Sequence, residues 1–495
     1  MGIIIKQSIR GTIYSYLGVL LGVVNVLVLM PNILLTEEIG LINLLVAISN
    51  IFAEFSTLGF NQVTTRLFSY FRNKQNKNNG YLFIIFSVVT VGFLLSVLVF
   101  FLIKPYVVKN SLEGSVLFER NVLFLLPLIF GTLYYTVFDN LLKVLYSSTI
   151  GTLYKEVIFR VLTFVNLIFV YFGIYSFNLF FLIYVITLML PAIMLFVEIM
   201  RRRELSFRRV RGFISSELKN QIIKVASFGM LSSVGSIVVL NIDKYLVASY
   251  LDLRATGIYS IAFFIGSLIL KPSTALSKIS SVILADSWKN NDLRTIFDVY
   301  RQGCLHLYLV GIYILLGIWI NIDNIFSILP EQYSNGEYVV LIIGLAYLLE
   351  MISGPGGMII ITSKHFPLLT YMRVSSGLVL VLAGYFLIPP YGINGAALSV
   401  LISHFVLSAA KITFIYMKFK EHPFDKNFLI ISIIAIVSYV SVMFLPVVIN
   451  TYIDILVRSS IFSGVFLFLL LKLKVSKSVR DIFDNIIRQV IKIKN

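Results

Sequence analysis

The sequence predicts an all-α polytopic membrane protein with about 14 transmembrane helices, arranged as two pseudo-symmetric six-helix lobes plus two C-terminal helices. Three observations predict it. The first is composition: 58% of the 495 residues are hydrophobic and only 13% are charged, with mean hydropathy +0.92, where a soluble chain carries about 25% charged residues. The second is a series of apolar runs of about 20 residues, each long enough to cross a bilayer. The third is an echo between the two halves of the chain at an offset of about 217 residues.

The runs fall at 11–31, 39–60, 80–103, 121–140, 153–173 and 178–200. They resume at 222–249, 255–284, 303–322, 337–362, 367–388 and 391–417, and end with 427–449 and 453–473. With the N-terminus placed in the cytoplasm, about 30 Lys and Arg residues fall on cytoplasmic segments and about 5 on outer loops, as the positive-inside rule requires. Both termini are then cytoplasmic and the protein sits in the inner or plasma membrane. The richest basic segment, Arg201–Arg211, separates the halves and reads as a topology anchor beside anionic headgroups. The expected domains are an N-terminal lobe with this loop (1–211), a C-terminal lobe (212–426), and the last two spans with a cytoplasmic tail (427–495). In that tail Val479, Ile482, Phe483, Ile486, Val490 and Ile493 share an apolar face, the pattern of a helix lying on the membrane surface.

Six spans return the chain to its starting side, so the lobes are parallel repeats that rock about a central cavity. The echo is clearest in Asn241–Ala285. Leu34–Leu44 falls on Leu251–Ile261 and aligns Gly40 with Gly257; Glu54–Thr57 falls on Lys271–Thr274. Asn43, Ala47, Asn50, Glu54, Thr57 and Asn61 share one helix face, and Ser260, Phe264, Ser267, Lys271, Thr274 and Lys278 do the same at the shifted positions. Pro272 removes a helical hydrogen bond, so the backbone is expected to bend or open there.

Composition also excludes function classes. The single Cys304 rules out an intramolecular disulfide framework and a CxxC metal site, and four scattered His residues argue against a His-rich one. No metal and no cofactor is expected. The net charge of +17 is that of cytoplasmic loops and does not call for a nucleic-acid partner. No GxSxG, Walker loop or HExxH is present, and no outer loop exceeds about 20 residues. An enzyme is not expected, and no catalytic residue is assigned.

Charges at membrane depth each need a reason. Glu54 and Lys271 lie roughly 15 residues from the outer ends of their spans, about 22 Å down at 1.5 Å per residue. Either they serve a cavity, or they form a buried structural pair, or Lys271 snorkels to the interface. Arg10, Arg66 and Lys278 stand near inner span ends, where they could ring a cytoplasmic mouth; interface anchoring explains each equally well alone. Asp139, Arg160, Glu350 and Arg373 are further candidates. Gly354–Gly357 interrupts the tenth span, so Gly354, Pro355 and Gly356 join Pro272 as hinge candidates; a packing kink is the alternative. Gly18 and Gly22 permit close helix approach. His306 and His404 read as packing residues.

At DKYLVASYLDLRATGIYSIA (Asp243–Ala262) and YGINGAALSVLIS (Tyr391–Ser403) the sequence resembles polysaccharide flippases of the Wzx type, within the multidrug/oligosaccharidyl-lipid/polysaccharide exporter superfamily. The resemblance extends over essentially the whole chain, through loose motifs. It implies export of an undecaprenyl-diphosphate-linked oligosaccharide to the outer leaflet by alternating access, for O-antigen, capsule or exopolysaccharide synthesis. Lys271, Lys278, Arg10 and Arg66 would then meet the diphosphate, and Glu54 would couple transport to an ion gradient. Membrane lipids and other polysaccharide-assembly membrane proteins are the implied partners. The alternatives are a multidrug or cation antiporter of the same fold, a flippase for the peptidoglycan lipid precursor, or, in another class, a membrane polysaccharide polymerase or ligase.

Overall fold

The computed structural model describes residues 2–73, 75–110, 115–145, 147–202, 213–446 and 449–473. Most of the basic segment Arg201–Arg211 and the expected surface helix after Leu473 lie outside the described residues. The principal helices are α1 (Gly2–Val23), α2 (Thr36–Ser56), α3 (Phe60–Phe71), α4 (Tyr81–Asn110), α5 (Leu125–Val144), α6 (Phe159–Tyr171), α7 (Phe177–Arg201) and α8 (Ser216–Tyr250). They continue with α9 (Leu253–Ser267), α10 (Lys271–Lys289), α11 (Leu293–Trp319), α12 (Glu337–Ser353), α13 (Gly356–Thr362), α14 (Phe366–Phe419), α15 (Lys426–Met443) and α16 (Thr451–Lys472). No strand occurs among the described residues.

Twelve helical segments among the described residues are long and apolar enough to cross a membrane. Two physical causes separate twelve from the fourteen apolar runs. Helix α14 has 54 residues, about 81 Å at 1.5 Å per residue, far more than a bilayer core of about 30 Å. It contains two of the runs and breaks at Gly392, at the start of the second, where a φ of 56° is non-helical. The run at 153–173 lies in a continuous helical segment, 148–171, with a π turn at Leu153–Ile158; the three charges Lys155, Glu156 and Arg160 set it apart from a plain apolar span.

The chain forms two compact units: Met1–Phe264 with Pro367–Ser403, and Ile265–Phe366 with His404–Asn495. In the first unit, α3, α4, α5 and α7 bury one apolar core that includes Phe71, Tyr81, Leu133, Phe138 and Leu195. Polar side chains inside it find partners on neighbouring helices: Thr64 with Tyr81 at 2.8 Å, Thr90 with Tyr134 at 2.9 Å, and Ser56 with Ser96 at 2.7 Å. Without water at that depth, such bonds hold helices together where hydrophobicity alone supplies little. The expected close approach at Gly18 and Gly22 is present. A Cβ at Gly18 would stand 2.7 Å from the Glu156 Cβ, and the Arg160 guanidinium lies over Gly22. Arg160 pairs with Glu156 at 2.9 Å and its carbonyl accepts from Asn25, a packing role.

Gly40 and Gly257 meet directly. A Cβ at Gly40 would stand 1.9 Å from the Leu253 carbonyl oxygen, and one at Gly257 would stand 2.0 Å from that of Thr36. Thr36 and Leu253 are themselves separated by the repeat offset of about 217, so the contact is reciprocal, of the kind a twofold relation produces.

The hairpin of α8 and α9 explains part of the Asp243–Ala262 motif. The turn is only Leu251–Asp252, and Asp252 accepts the Ala255 N–H at 2.6 Å, capping α9. Asp243 is buried and accepts the Tyr259 hydroxyl at 2.7 Å, clasping the two helices. Tyr259→Phe leaves that carboxylate without its donor, so it should cost about 1.5–3 kcal/mol and lower the melting temperature in detergent. An unchanged melting temperature would remove the clasp from the hairpin's support.

In the second unit, α15 and α16 are held to α11 by Tyr308–Ser432 at 2.7 Å and Tyr313–Ser463 at 2.6 Å. Asp454, buried at the head of α16, takes Asn324 and Arg458 at 2.6 Å each.

Candidate functional site

The polar stripe of α2 turns toward α8. Asn50 donates to the Asn241 side chain at 3.1 Å. One turn on, the half-buried Glu54 carboxylate accepts from Asn61 at 3.5 Å on both oxygens and from Ser233 of α8. Just beyond it the helix breaks at Leu58 and Gly59, both at positive φ. Gly59 is needed there, since a Cβ would stand 2.0 Å from the Ala226 carbonyl oxygen. Glu54 is thus an acid held by neutral donors beside a backbone break.

Between α2, α5, α7 and the π turn lies a cavity of about 170 Å³, room for about six waters at 30 Å³ each. Its polar lining is Asn50, Thr132, Tyr135, Lys155 and Tyr184. Lys155 stands on the π turn and exposes its side chain to this space; π turns recur at functional sites. Its ammonium lies 4.6 Å from the Tyr135 ring centroid. The two acids that act on it, Asp139 and Glu156, are paired with Lys143 and Arg160. Among the described residues, no carboxylate lies within ion-pair distance of the Lys155 Nζ. Asp139 also packs against Gly151 and is a structural acid.

Sequence reasoning missed Lys155. It stands two residues into an apolar run, where a positive charge reads as a cytoplasmic anchor. The signal that could have found it is its spacing from Glu156 and Arg160: those two pair at four residues, which leaves Lys155 on another face.

The other expected site residues divide between the units. Arg10 on α1 and Arg66 on α3 are exposed side chains of the first unit. In the second unit, a 3-10 turn at Leu268–Leu270 precedes Lys271, which opens α10 with Pro272 behind it. At the position where the sequence predicts a bend or opening, the helix tightens to this 3-10 turn and continues without a break, with Lys271 exposed. Lys278 falls on the same helix, and its side chain lies outside the described residues. The Gly354–Pro355 segment separates α12 from α13, with Gly354 at φ 44° and ψ −133°. No group of three or more His, Cys, Asp or Glu able to hold a metal occurs among the described residues.

A second, apolar cavity of about 190 Å³ lies in the first unit, lined by Ile48, Phe52, Phe100, Phe118 and Ile242, with Lys104 also in its wall.

No protein-family model and no curated protein matches the chain. Solved structures do. The chain is similar to the lipid II flippase MurJ in an inward closed conformation, with TM-score 0.73 and 14% identity over 97% of this chain and 100% of that one. It is also similar to an inward-facing multidrug resistance MATE family transporter of the MOP superfamily, with TM-score 0.60 and 12% identity over 82% and 94% of the two chains. A MOP superfamily transporter from Pyrococcus furiosus gives TM-score 0.56 and 12% identity over 84% and 96%. The chain is a multi-pass, all-helical membrane protein with the fold that the lipid II flippase MurJ and these MOP superfamily transporters share.

Proposed function

We propose that the protein is a transporter that flips an undecaprenyl-diphosphate-linked oligosaccharide from the cytoplasmic to the outer leaflet, by alternating access of an N-terminal lobe (1–211) and a C-terminal lobe (212–426). The observation that carries this reading is Lys155: a lysine exposed to a polar cavity in the first unit, with no carboxylate within ion-pair distance among the described residues. The acids near it, Asp139 and Glu156, are already paired with Lys143 and Arg160, so this cation is suited to an anionic ligand that brings a further charge. Tyr135 and Tyr184 add aromatic rings to the cavity wall, surfaces suited to a sugar ring. A cationic drug would meet repulsion there, which disfavours a multidrug antiporter despite the shared fold. The likeness to a lipid II flippase is consistent with a lipid-linked substrate.

In this reading Lys271, Lys278, Arg10 and Arg66 are further contacts for the diphosphate, and Glu54 takes the coupling proton. Pro272 and Gly354–Gly356 absorb the backbone change. Both termini are cytoplasmic. The glycan supplies a surface polysaccharide, with other polysaccharide-assembly membrane proteins acting on the exported product.

Deleting the gene should leave undecaprenyl-linked glycan inaccessible to a membrane-impermeant carbohydrate label on intact cells; an unchanged labelled fraction would overturn the reading. Lys271→Glu should abolish the labelled fraction at near-normal protein level. Retained labelling would remove Lys271 from the site. Glu54→Gln should abolish the dependence of export on the proton gradient, and an unaltered dependence would remove Glu54 as the coupling group.

A further inference from the structure

The second unit carries a buried charge cluster that transport through the Lys155 cavity does not use. Glu350 stands in the last turn of α12. His404 and Lys411 lie seven residues apart on α14, two turns along one face. The Lys411 Nζ donates to Glu350 Oε1 at 2.6 Å and to the Ser353 hydroxyl at 3.3 Å. The Ser353 hydroxyl in turn donates to the Glu350 carbonyl at 2.7 Å. Lys411 therefore ties the end of α12 to α14 at the residue before the Gly354–Pro355 break.

His404 lies on the other carboxylate oxygen, with Nδ1 3.5 Å from Glu350 Oε2. Neither His404 nitrogen has a hydrogen-bond partner within range, and Glu350 Oε2 has none either. The His404 side chain is 6% exposed and that of Lys411 5%, whereas the Glu350 side chain is 28% exposed. Such orphaned groups are costly when buried. The surrounding titratable groups are few. Tyr347 of α12 places its ring 5.1 Å from that of His404. From α11, Cys304 lies within electrostatic range of Lys411, and Tyr300 within range of Cys304.

We propose that Glu350, His404 and Lys411 form a proton-binding site that latches the Gly354–Pro355 break. With His404 neutral, one carboxylate and one ammonium balance, and Lys411 holds the end of α12. A proton that reaches the cluster settles on the imidazole, which faces Glu350 Oε2 and has no other hydrogen-bond partner among the described residues. The imidazolium then claims Glu350 Oε2. Two buried cations share one anion, the Lys411 tie to Glu350 and Ser353 weakens, and the break is released. The proton comes from solvent and returns to it, and no bond other than N–H is made or broken. The site is distinct from Glu54, which belongs to the first unit.

The only cysteine supplies the reporter. Cys304 is buried against Gly354, with its Sγ 2.7 Å from where a Gly354 Cβ would stand. The experiment measures maleimide modification of Cys304 in the full-length protein in lipid nanodiscs from pH 8 to 5.5, normalised at each pH to the denatured chain. The expected result is a rise of about tenfold on acidification, as a two-state element responds to a ligand that prefers one state. His404→Gln should stay slow at every pH, and Glu350→Gln should be fast at every pH. A pH-independent wild-type rate, or a pH step retained in His404→Gln, would overturn the proposal. A second measurement covers a His404→Gln chain that fails to fold. In a chain with His306, His365 and His422 replaced by Gln, the nitrogen resonances of His404 should shift over the same pH range in which Cys304 modification rises. An imidazole that stays neutral across that range overturns the proposal as well.

Discussion

Lys155→Glu is expected to abolish export of the lipid-linked glycan, while Lys155→Arg retains part of it. The ammonium faces a cavity with no carboxylate within ion-pair distance among the described residues, so reversing its charge removes an attraction for an anionic ligand and adds a repulsion. A hydrogen bond to a charged group is worth about 1.5–3 kcal/mol. Lys155→Met alone should therefore lower export by about ten- to a hundredfold, and Lys155→Glu by more. The fold should persist, since no structural ion pair is lost; the melting temperature in detergent is the control. Lys143→Glu supplies a second control, because Lys143 is half-exposed and pairs with Asp139 outside the cavity lining. It should reduce stability modestly and leave export near normal. Equal export by wild type and Lys155→Glu would take the cavity out of the transport path.

Lys155 also marks where the sequence stopped being legible. The all-helical membrane fold follows from composition and run length alone, because both are properties of single segments. So does the close approach at Gly18 and Gly22, since a small residue one turn from another has few other uses in a span. The polar stripe of α2 was legible as a stripe, and the structure adds its partner, α8, through Asn50 with Asn241 and Glu54 with Ser233. What could not be read was any pairing between distant segments. Glu350 and Lys411 are 61 residues apart in sequence, and Glu350 read only as one further candidate at membrane depth. His404 read as a packing residue for the same reason. Lys155 was obscured differently: the π turn at Leu153–Ile158 shifts the register of its face, and no residue type in that run announces a π turn.

Gly40→Val and Gly257→Val should damage the protein equally, which tests the repeat more directly than either change alone. Each glycine lies where a Cβ would meet a backbone carbonyl oxygen at about 2 Å, Gly40 at Leu253 and Gly257 at Thr36. Backbone cannot rotate away as a side chain can, so α2 and α9 must part at these ends. Overpacking of this kind costs about 1–3 kcal/mol. If the two positions are related by a twofold axis, their losses in melting temperature should agree to within about 0.5 kcal/mol of equivalent stability. The double variant should lose less than the sum, because the second Val enters a contact the first has already opened. In the proposed transporter, with the N-terminus inside, these are the outer ends of the second and eighth spans, and their separation would belong to one half of the transport cycle. Both variants should then export at least about tenfold less glycan, since a transporter unable to close its outer side cannot reset. A large loss for one glycine beside a small loss for the other would refute the twofold reading. Strict additivity in the double variant would show that the two residues do not share one contact.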